Sequence, residues 1–344
     1  MSEESKAMAA IEVDAPKLTI EAVAESIEAQ FGLTGKFESL VSERDQNFML
    51  QALDGAKYVA KVTSILEEPL ATDFQIRALL HLKDRCEPAV PRVVRTRSGK
   101  PAGEIAGGSG SHCLRVVTWV DGDLLETREL DESNVTRFGR ALAQLDIAFG
   151  TFSHPGEKPA LLWDLQRVCE LRKLVEFIDV PAVQNSVTRA IRDYEQHVVP
   201  ALGHLRSQVI HSDANPGNVL LSEEGVGFID FGDIIKAPLV FEVAIAASYV
   251  RSHDEDPLRY LVPFIAAYHE VLPLTGVEAE LLFYLIRARL STTITLLYRR
   301  LGARDSSDPY RQKALSLEGD AEKFLAALDA MGPAVFRRKL FFIQ

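Results

Sequence analysis

Two aspartates and an asparagine stand at spacings that suit the movement of a phosphoryl group. Asp213 lies in the polar run His211-Ser212-Asp213-Ala214-Asn215-Pro216-Gly217-Asn218, between apolar Gln208-Val209-Ile210 and Val219-Leu220-Leu221. Glu223-Glu224-Gly225 then turns the chain, and Val226-Gly227-Phe228-Ile229 leads into Asp230-Phe231-Gly232-Asp233. Short β-branched runs cut by turn residues predict a hairpin with a loop ahead of it. One acid sits in that loop, an amide follows five residues later, and the second acid ends the last strand seventeen residues after the first. Phosphoryl transfer needs an aligned hydroxyl and cations on the phosphate oxygens. Asp213 is the candidate to accept or orient the hydroxyl proton. Asn218 and Asp230 are the candidate ligands of Mg²⁺, a hard ion that takes one or two carboxylates plus phosphates. D-F-G alone is weak evidence, since three residues recur by chance; H-x-D-x-x-x-x-N followed by D-F-G is far more specific. The competing reading is a plain hairpin with Asp and Asn as turn formers.

The elements that must hold these residues follow from periodicity. Thr19 to Phe31 has Ile20, Val23, Ala24, Ile27 and Phe31 at helical spacing, with Thr19 as a cap and Gly32 as the stop. Phe37–Leu40, Asn47–Leu53 and Tyr58–Val62 read as strands, the last two joined by a turn at Asp54-Gly55. Thr72 to Leu82 reads as a helix, residues 84–112 as loops and hairpin turns, and Leu114–Val120 as a further strand. Beyond it the pattern is helical: Asn134–Phe149, Val183–Leu202, Phe241–Val250, Leu258–Val271 and Val277–Leu301. Asp164 is a candidate contact for a substrate amine, or a helix cap. Arg287, on a basic stretch of the last helix, is a candidate for a substrate carboxylate, or part of a solvated face.

His211-Ser212-Asp213 through Asn218, with Ile229-Asp230-Phe231-Gly232-Asp233, resembles the aminoglycoside phosphotransferase/choline kinase superfamily. Phe231-Gly232-Asp233 followed by Val240-Phe241-Glu242-Val243-Ala244 is more narrowly similar to the hydroxylysine kinase group, which also occurs as the kinase portion of aminotransferase fusions. The resemblance implies an α+β, two-lobed, protein-kinase-like fold. Its small antiparallel-sheet lobe would span about 20–117, its hinge 118–122 and its helical lobe 123–344, after a flexible tail over 1–19. Lys61, after Tyr58-Val59-Ala60, resembles the strand lysine that neutralises the α- and β-phosphates; a surface lysine is the alternative. The segment Val41 to Phe48 falls where a glycine-rich loop is expected and holds no glycine. Ser42, Arg44 and Asn47 are the candidates to serve there with side-chain donors. Thr118 to Val120 would meet the purine through the backbone. Gln75 stands where the lysine's usual glutamate partner is expected, fourteen residues after Lys61. An amide cannot form an ion pair, so Glu67, Glu68 and Asp73 are candidate substitutes. Asp233 is a further candidate at the acceptor.

Composition bounds the rest. The 344 residues, 47% hydrophobic and 25% charged, suffice for two lobes of a soluble globular protein. A net charge of −11 argues against a nucleic-acid binder. Cys86, Cys113 and Cys169 are scattered, which argues against a disulfide framework or a zinc site. No signal peptide or membrane span is expected, and a reducing cytoplasm fits. The expected function is transfer of the γ-phosphoryl of ATP or GTP to an amino-alcohol or hydroxy amino acid, with 5-hydroxylysine favoured by the resemblance. Homoserine, choline, ethanolamine and an aminoglycoside are the alternative acceptors, and a non-catalytic nucleotide sensor is the alternative of another class. A protein kinase is disfavoured, because only eight residues separate Asp233 from Glu242.

Overall fold

The computed structural model describes residues 15–340 except 43, 109, 160, 253 and 303–308, and only the backbone of residues 302 and 309–319. The expected tail therefore lies largely outside the described residues. Helix α1 (Ile20–Phe31) starts where Thr19 accepts from the Ala22 N–H at 3.3 Å and ends at left-handed Gly32. A five-stranded antiparallel sheet follows: β1 (Gly35–Leu40), β2 (Gln46–Ala52), β3 (Lys57–Val62), β4 (Gly103–Gly107) and β5 (Gly110–Thr118), in the order β1-β2-β3-β5-β4. Between β3 and β4 lies α2 (Pro69–Leu82), which begins three residues before the sequence pattern shows it, with Pro69 at a position where no N–H is needed.

Alternation places Phe48, Leu50, Ala60, Val62, Leu114 and Val116 on one face of the sheet, where they pack with Val23, Ile27 and Phe31 of α1. The buried residues of α2 go elsewhere. Phe74, Ala78, Leu79 and Leu82 join the helical lobe's core, and Phe74 stacks on Phe152 with ring centroids 5.8 Å apart. In the chain α2 lies between strands of the small lobe, but its apolar face packs on the large one.

The helical lobe begins with the short strand β6 (Asp123–Leu124) and α3 (Glu132–Phe149), whose N-cap Asp131 accepts from the Asn134 N–H at 2.7 Å. A 3₁₀ segment (Leu165–Phe177), α4 (Pro181–His197) and a second 3₁₀ turn (Val199–His204) follow. Then come β7 (Ser207–Ile210), β8 (Val219–Leu221), β9 (Val226–Phe228) and β10 (Ile235–Pro238). The expected hairpin is β8–β9, registered Leu220 to Gly227, with β6 on its outer edge. β7, by contrast, pairs with β10. The loop between β7 and β8 and the loop between β9 and β10 thus open at the same end. The last helices are α5 (Val240–Ala247), α6 (Leu261–Val271), α7 (Gly276–Gly302) and α8 (Pro309–Lys339). α3 and α6 cross so closely at Gly139 that an added Cβ would lie 2.3 Å from the Phe264 carbonyl oxygen. Among the described residues α7 alone is long and apolar enough to cross a membrane, but 83% of that stretch is buried in the fold.

Candidate active site

The two loops converge in a polar cleft of about 460 Å³ lined by Asp213, Asn218, Asp230, Asp233 and Lys61, among others. Their backbones are constrained. Ser212 (φ 66°) and Asp230 (φ 58°) both adopt the left-handed region, where a residue with a Cβ is held only if its surroundings insist. Glu242, buried at the start of α5, accepts from the backbone N–H of His211 and of Ser212, the latter at 2.9 Å. The Asp213 N–H donates to His211 Nδ1 at 3.3 Å, so Nε2 carries the proton that meets the Ile229 carbonyl at 3.0 Å. His211 therefore ties the first loop to the strand end that presents Asp230.

Asp213 is held by amides. Its Oδ2 accepts from Asn215 Nδ2 at 3.0 Å and Asn218 Nδ2 at 2.9 Å. Burial pushes its carboxyl up to about 7, the nearby Asp233 charge adds to this, and Arg289 opposes it. A carboxylate near neutrality suits a general base. Asp230 is the opposite case: Lys61 Nζ lies 3.2 Å from its Oδ1 and pulls it down to about 2. Two neighbouring acids are thus held apart in proton affinity, which suits Asp213 to accept a proton and Asp230 to stay charged. A divalent ion fits the remaining oxygens. Lys61 engages only Oδ1 of Asp230, and Asn218 uses its amide nitrogen on Asp213, so its carbonyl oxygen remains for a cation. Among the described residues no cluster of three or more His, Cys, Asp or Glu forms an all-protein cage. A carboxylate and an amide, completed by phosphates and water, are the hard, incomplete donor set such an ion accepts.

A second cavity of about 600 Å³ adjoins the first and shares Lys61, Asn218 and Asp230 with it. Val59, Val117, Leu220 and Ile229 give it apolar walls. Thr118 and Val120 also line it. The Thr118 N–H is taken by the Arg92 carbonyl (2.9 Å) and that of Trp119 by Lys57 (3.0 Å), whereas the Val120 N–H has no partner among the described residues.

Other sequence candidates fall differently. Ser42 and Asn47 line the polar cleft, and Asn47 Oδ1 is buried without a partner. Arg44 lines the cleft as well, where it pairs with Asp233 and lies over Trp163, 5.4 Å from the ring centroid. Gln75 lines the cleft but does not bond to Lys61. Its carbonyl accepts from Arg115 Nη1 at 2.6 Å, and its amide donates to Gly232 O at 3.3 Å and Glu67 at 3.4 Å. Arg115 takes the neutral side chain because it already has Asp45 at 2.9 Å. Of the proposed substitutes, Asp73 goes to Arg77 and His154, and Lys61 finds its acid in Asp230. Asp164 lies outside the cleft and caps the 3₁₀ segment, accepting from the Gln166 N–H at 2.9 Å. Arg287 is also outside it, buried between Asp193 and Asp329 at 2.7 and 2.6 Å. Two residues further on, Arg289 does face the cleft, with Trp163 and Tyr249. Helical spacing from Arg289 through Thr292, Thr293 and Leu296 was the signal that could have found it.

Solved structures with this fold include an amicoumacin kinase in complex with AMP-PNP, Ca²⁺ and its ligand (TM-score 0.69, 15% identity, 97% of both chains). A microcompartment-associated aminopropanol kinase is another (TM-score 0.62, 15% identity, 95% of this chain and 99% of the other). In sequence the chain is similar to the hydroxylysine kinase of Mus musculus, 28% identical over 78% of this chain and 79% of the relative. That of Danio rerio is 25% identical over 82% and 84%. The model of the family described as "Phosphotransferase enzyme family" matches residues 37–284, well over half of the chain, so the protein belongs to that family and is a small-molecule kinase that takes its phosphoryl group from a nucleotide.

Proposed function

We propose that the protein transfers the γ-phosphoryl group of ATP or GTP, as the Mg²⁺ complex, to the hydroxyl of a small hydroxylated amine or amino acid, with 5-hydroxylysine the favoured acceptor. The observation that carries this reading is the position of Asp213, with its raised proton affinity, on the floor of the same cleft as the Lys61–Asp230 pair. The four curated relatives described as hydroxylysine kinases support the choice of acceptor.

The chain's own groups divide the work. The apolar cavity takes the nucleotide base, and the Val120 N–H is the hinge donor left for it. Lys61 lies where its ammonium can draw charge from phosphate oxygens. Asp230 and Asn218 would hold Mg²⁺, which when bound neutralises charge on the transferring group. Asp213, fixed by Asn215 and Asn218, orients the acceptor hydroxyl and takes its proton as the new O–P bond forms. Arg44 and Asp233 pair with each other on the cleft wall.

The test is nucleoside-diphosphate release from ATP and from GTP across a panel of hydroxylated amines and amino acids. The reading expects acceptor-dependent release that is highest for 5-hydroxylysine. Release that ignores every acceptor would overturn it.

A further inference from the structure

Two arginines lie two residues apart on α7, both nearly buried, and their surroundings differ. Arg287 is 3% exposed and sits between two carboxylates, Asp193 at 2.7 Å and Asp329 at 2.6 Å. Arg289 is 4% exposed and has one, Asp213, at 3.4 Å. Charge-assisted bonds between guanidinium and carboxylate normally close to about 2.7–2.9 Å. Its other contacts are the Tyr249 hydroxyl at 3.1 Å and the Trp163 carbonyl at 3.3 Å. Its Nε is enclosed by protein and has no partner among the described residues. A buried guanidinium whose five donors meet three acceptors at 3.1–3.4 Å, with Asp233 as a second and more distant negative charge, is costly unless something else completes it. Arg289 faces the acceptor side of the cleft, so that partner can come from the ligand.

The rest of this wall has the same sign. Arg289, Thr292, Thr293, Leu296 and Arg300 of α7 line the cleft, two cations and no acid. The aromatic faces that an ammonium would seek already carry guanidinium groups: Arg44 over Trp163 at 5.4 Å and Arg289 over Tyr249 at 5.9 Å. Asp230 and Asp233 are each paired, with Lys61 and Arg44. The α7 side of the cleft is therefore built for an anion.

We infer that the acceptor carries a carboxylate and that Arg289 binds it, so the enzyme selects hydroxy amino acids over the amines that lack that group. This rests on the acceptor class proposed above. Arg289 would hold the carboxylate at one end of the acceptor while Asp213 holds the hydroxyl at the other.

The experiment uses acceptor pairs that differ only by the carboxylate: 5-hydroxylysine and 1,5-diaminopentan-2-ol, homoserine and 3-aminopropanol, serine and ethanolamine. In the native enzyme the amino acid of the active pair should exceed its partner in kcat/KM by at least about 100-fold, the scale set by leaving a built polar site unpaired. Arg289→Met should lower kcat on both members through its contact with Asp213 and should collapse their ratio to within about fivefold. Arg289→Lys, which keeps the charge but not the fork, should fall between. Thermal stabilisation by Mg²⁺-nucleotide verifies that each variant is folded, and the Lys variant answers the question if the Met variant is not. Equal turnover of both members by the native enzyme, or a ratio that survives in the variants, would overturn the inference while leaving the acceptor class intact. No turnover of any pair would overturn both.

Discussion

Glu242 makes the reasoning about the active loop quantitative. It is fully buried and accepts from the N–H groups of His211 and Ser212, while its Oε1 has no partner. Burial is the first cause that raises its pKa, and its charge in turn pushes up that of Asp146, equally buried and bonded to the Tyr268 hydroxyl at 2.6 Å. Glu242→Ala leaves two buried donors unpaired, about 1–3 kcal/mol each. Removal of the carboxyl that pushes Asp146 up offsets part of that, for a net loss of about 2–4 kcal/mol. Ser212 would relax from its left-handed conformation, and the displaced Asp213 should cost about 10²-fold in kcat. Glu242→Gln is the control. Its carbonyl can replace Oε2 under Ser212, and its amide falls where Oε1 is unpartnered, so stability near neutral pH should change by less than about 1 kcal/mol. The pH dependence separates charge from shape. A carboxyl whose folded pKa lies above its unfolded value stabilises fully below the unfolded value, and that stability is lost as pH rises through the folded one. The Gln variant has no such loss, so its stability should gain on the native enzyme's as pH is raised from the ordinary glutamate range. Urea denaturation of all three proteins over a pH series measures this. A Gln variant as unstable as the Ala variant, or one whose pH profile parallels the native curve, would refute the argument.

Other outcomes follow from the same geometry. Asp213→Asn should retain fold and nucleotide affinity and lower kcat by about 10²–10⁴, and near-native turnover in a folded variant would remove Asp213 from the chemistry. Asp230→Ala should abolish the dependence of nucleotide affinity on Mg²⁺, measured by calorimetry with and without the ion; unchanged affinity would mean that Asp230 holds no metal. Gln75→Glu should couple to Arg115 and not to Lys61. A double-mutant cycle with Lys61→Met should give a coupling within about 0.5 kcal/mol of zero, the usual scatter for groups that do not meet.

Most of the strands and helices and the loop that carries Asp213 were legible because each follows one local rule: alternation, helical period, or turn chemistry; β4, inside the stretch read as loops, and α8 were not read. Thr19 as a cap and the β8–β9 hairpin are of this kind. What could not be read depends on distant partners. The pairing of β7 with β10 skips the hairpin, and the four residues of β10 show no period that would reveal it. α2 is amphipathic, but periodicity does not say which lobe its apolar face will meet. On α7 the sequence showed a basic stretch, yet Arg287 and Arg289 differ only in what other elements bring to them. Asp193 of α4 and Asp329 of α8 claim the first, and the cleft is left to the second. Asp164 and Gln75 illustrate the same limit, because a polar residue near a site in sequence can be used by its neighbours before any ligand arrives.

The neutral residue at position 75 follows from the charges around it. Lys61 and Arg115 stand directly opposite each other on β3 and β5, two cations that repel unless each has its own acid. Arg115 takes Asp45 and the Gln75 carbonyl, together with the Thr63 hydroxyl at 2.9 Å. A glutamate at 75 would face Arg115 first, and it would also face Glu67, whose carboxyl is already pushed up by burial. An amide serves better, because it accepts from Arg115 on one side and donates to Glu67 and Gly232 on the other. Among the described residues Lys61 is then left with Asp230, the residue proposed to hold the divalent ion. A divalent ion on the free Oδ2 of Asp230 would draw charge from that carboxylate and weaken its hold on the ammonium at Oδ1. With the metal bound, Lys61 would be free to turn toward the phosphates that arrive with it, a freedom that a fixed lysine–glutamate pair would restrict.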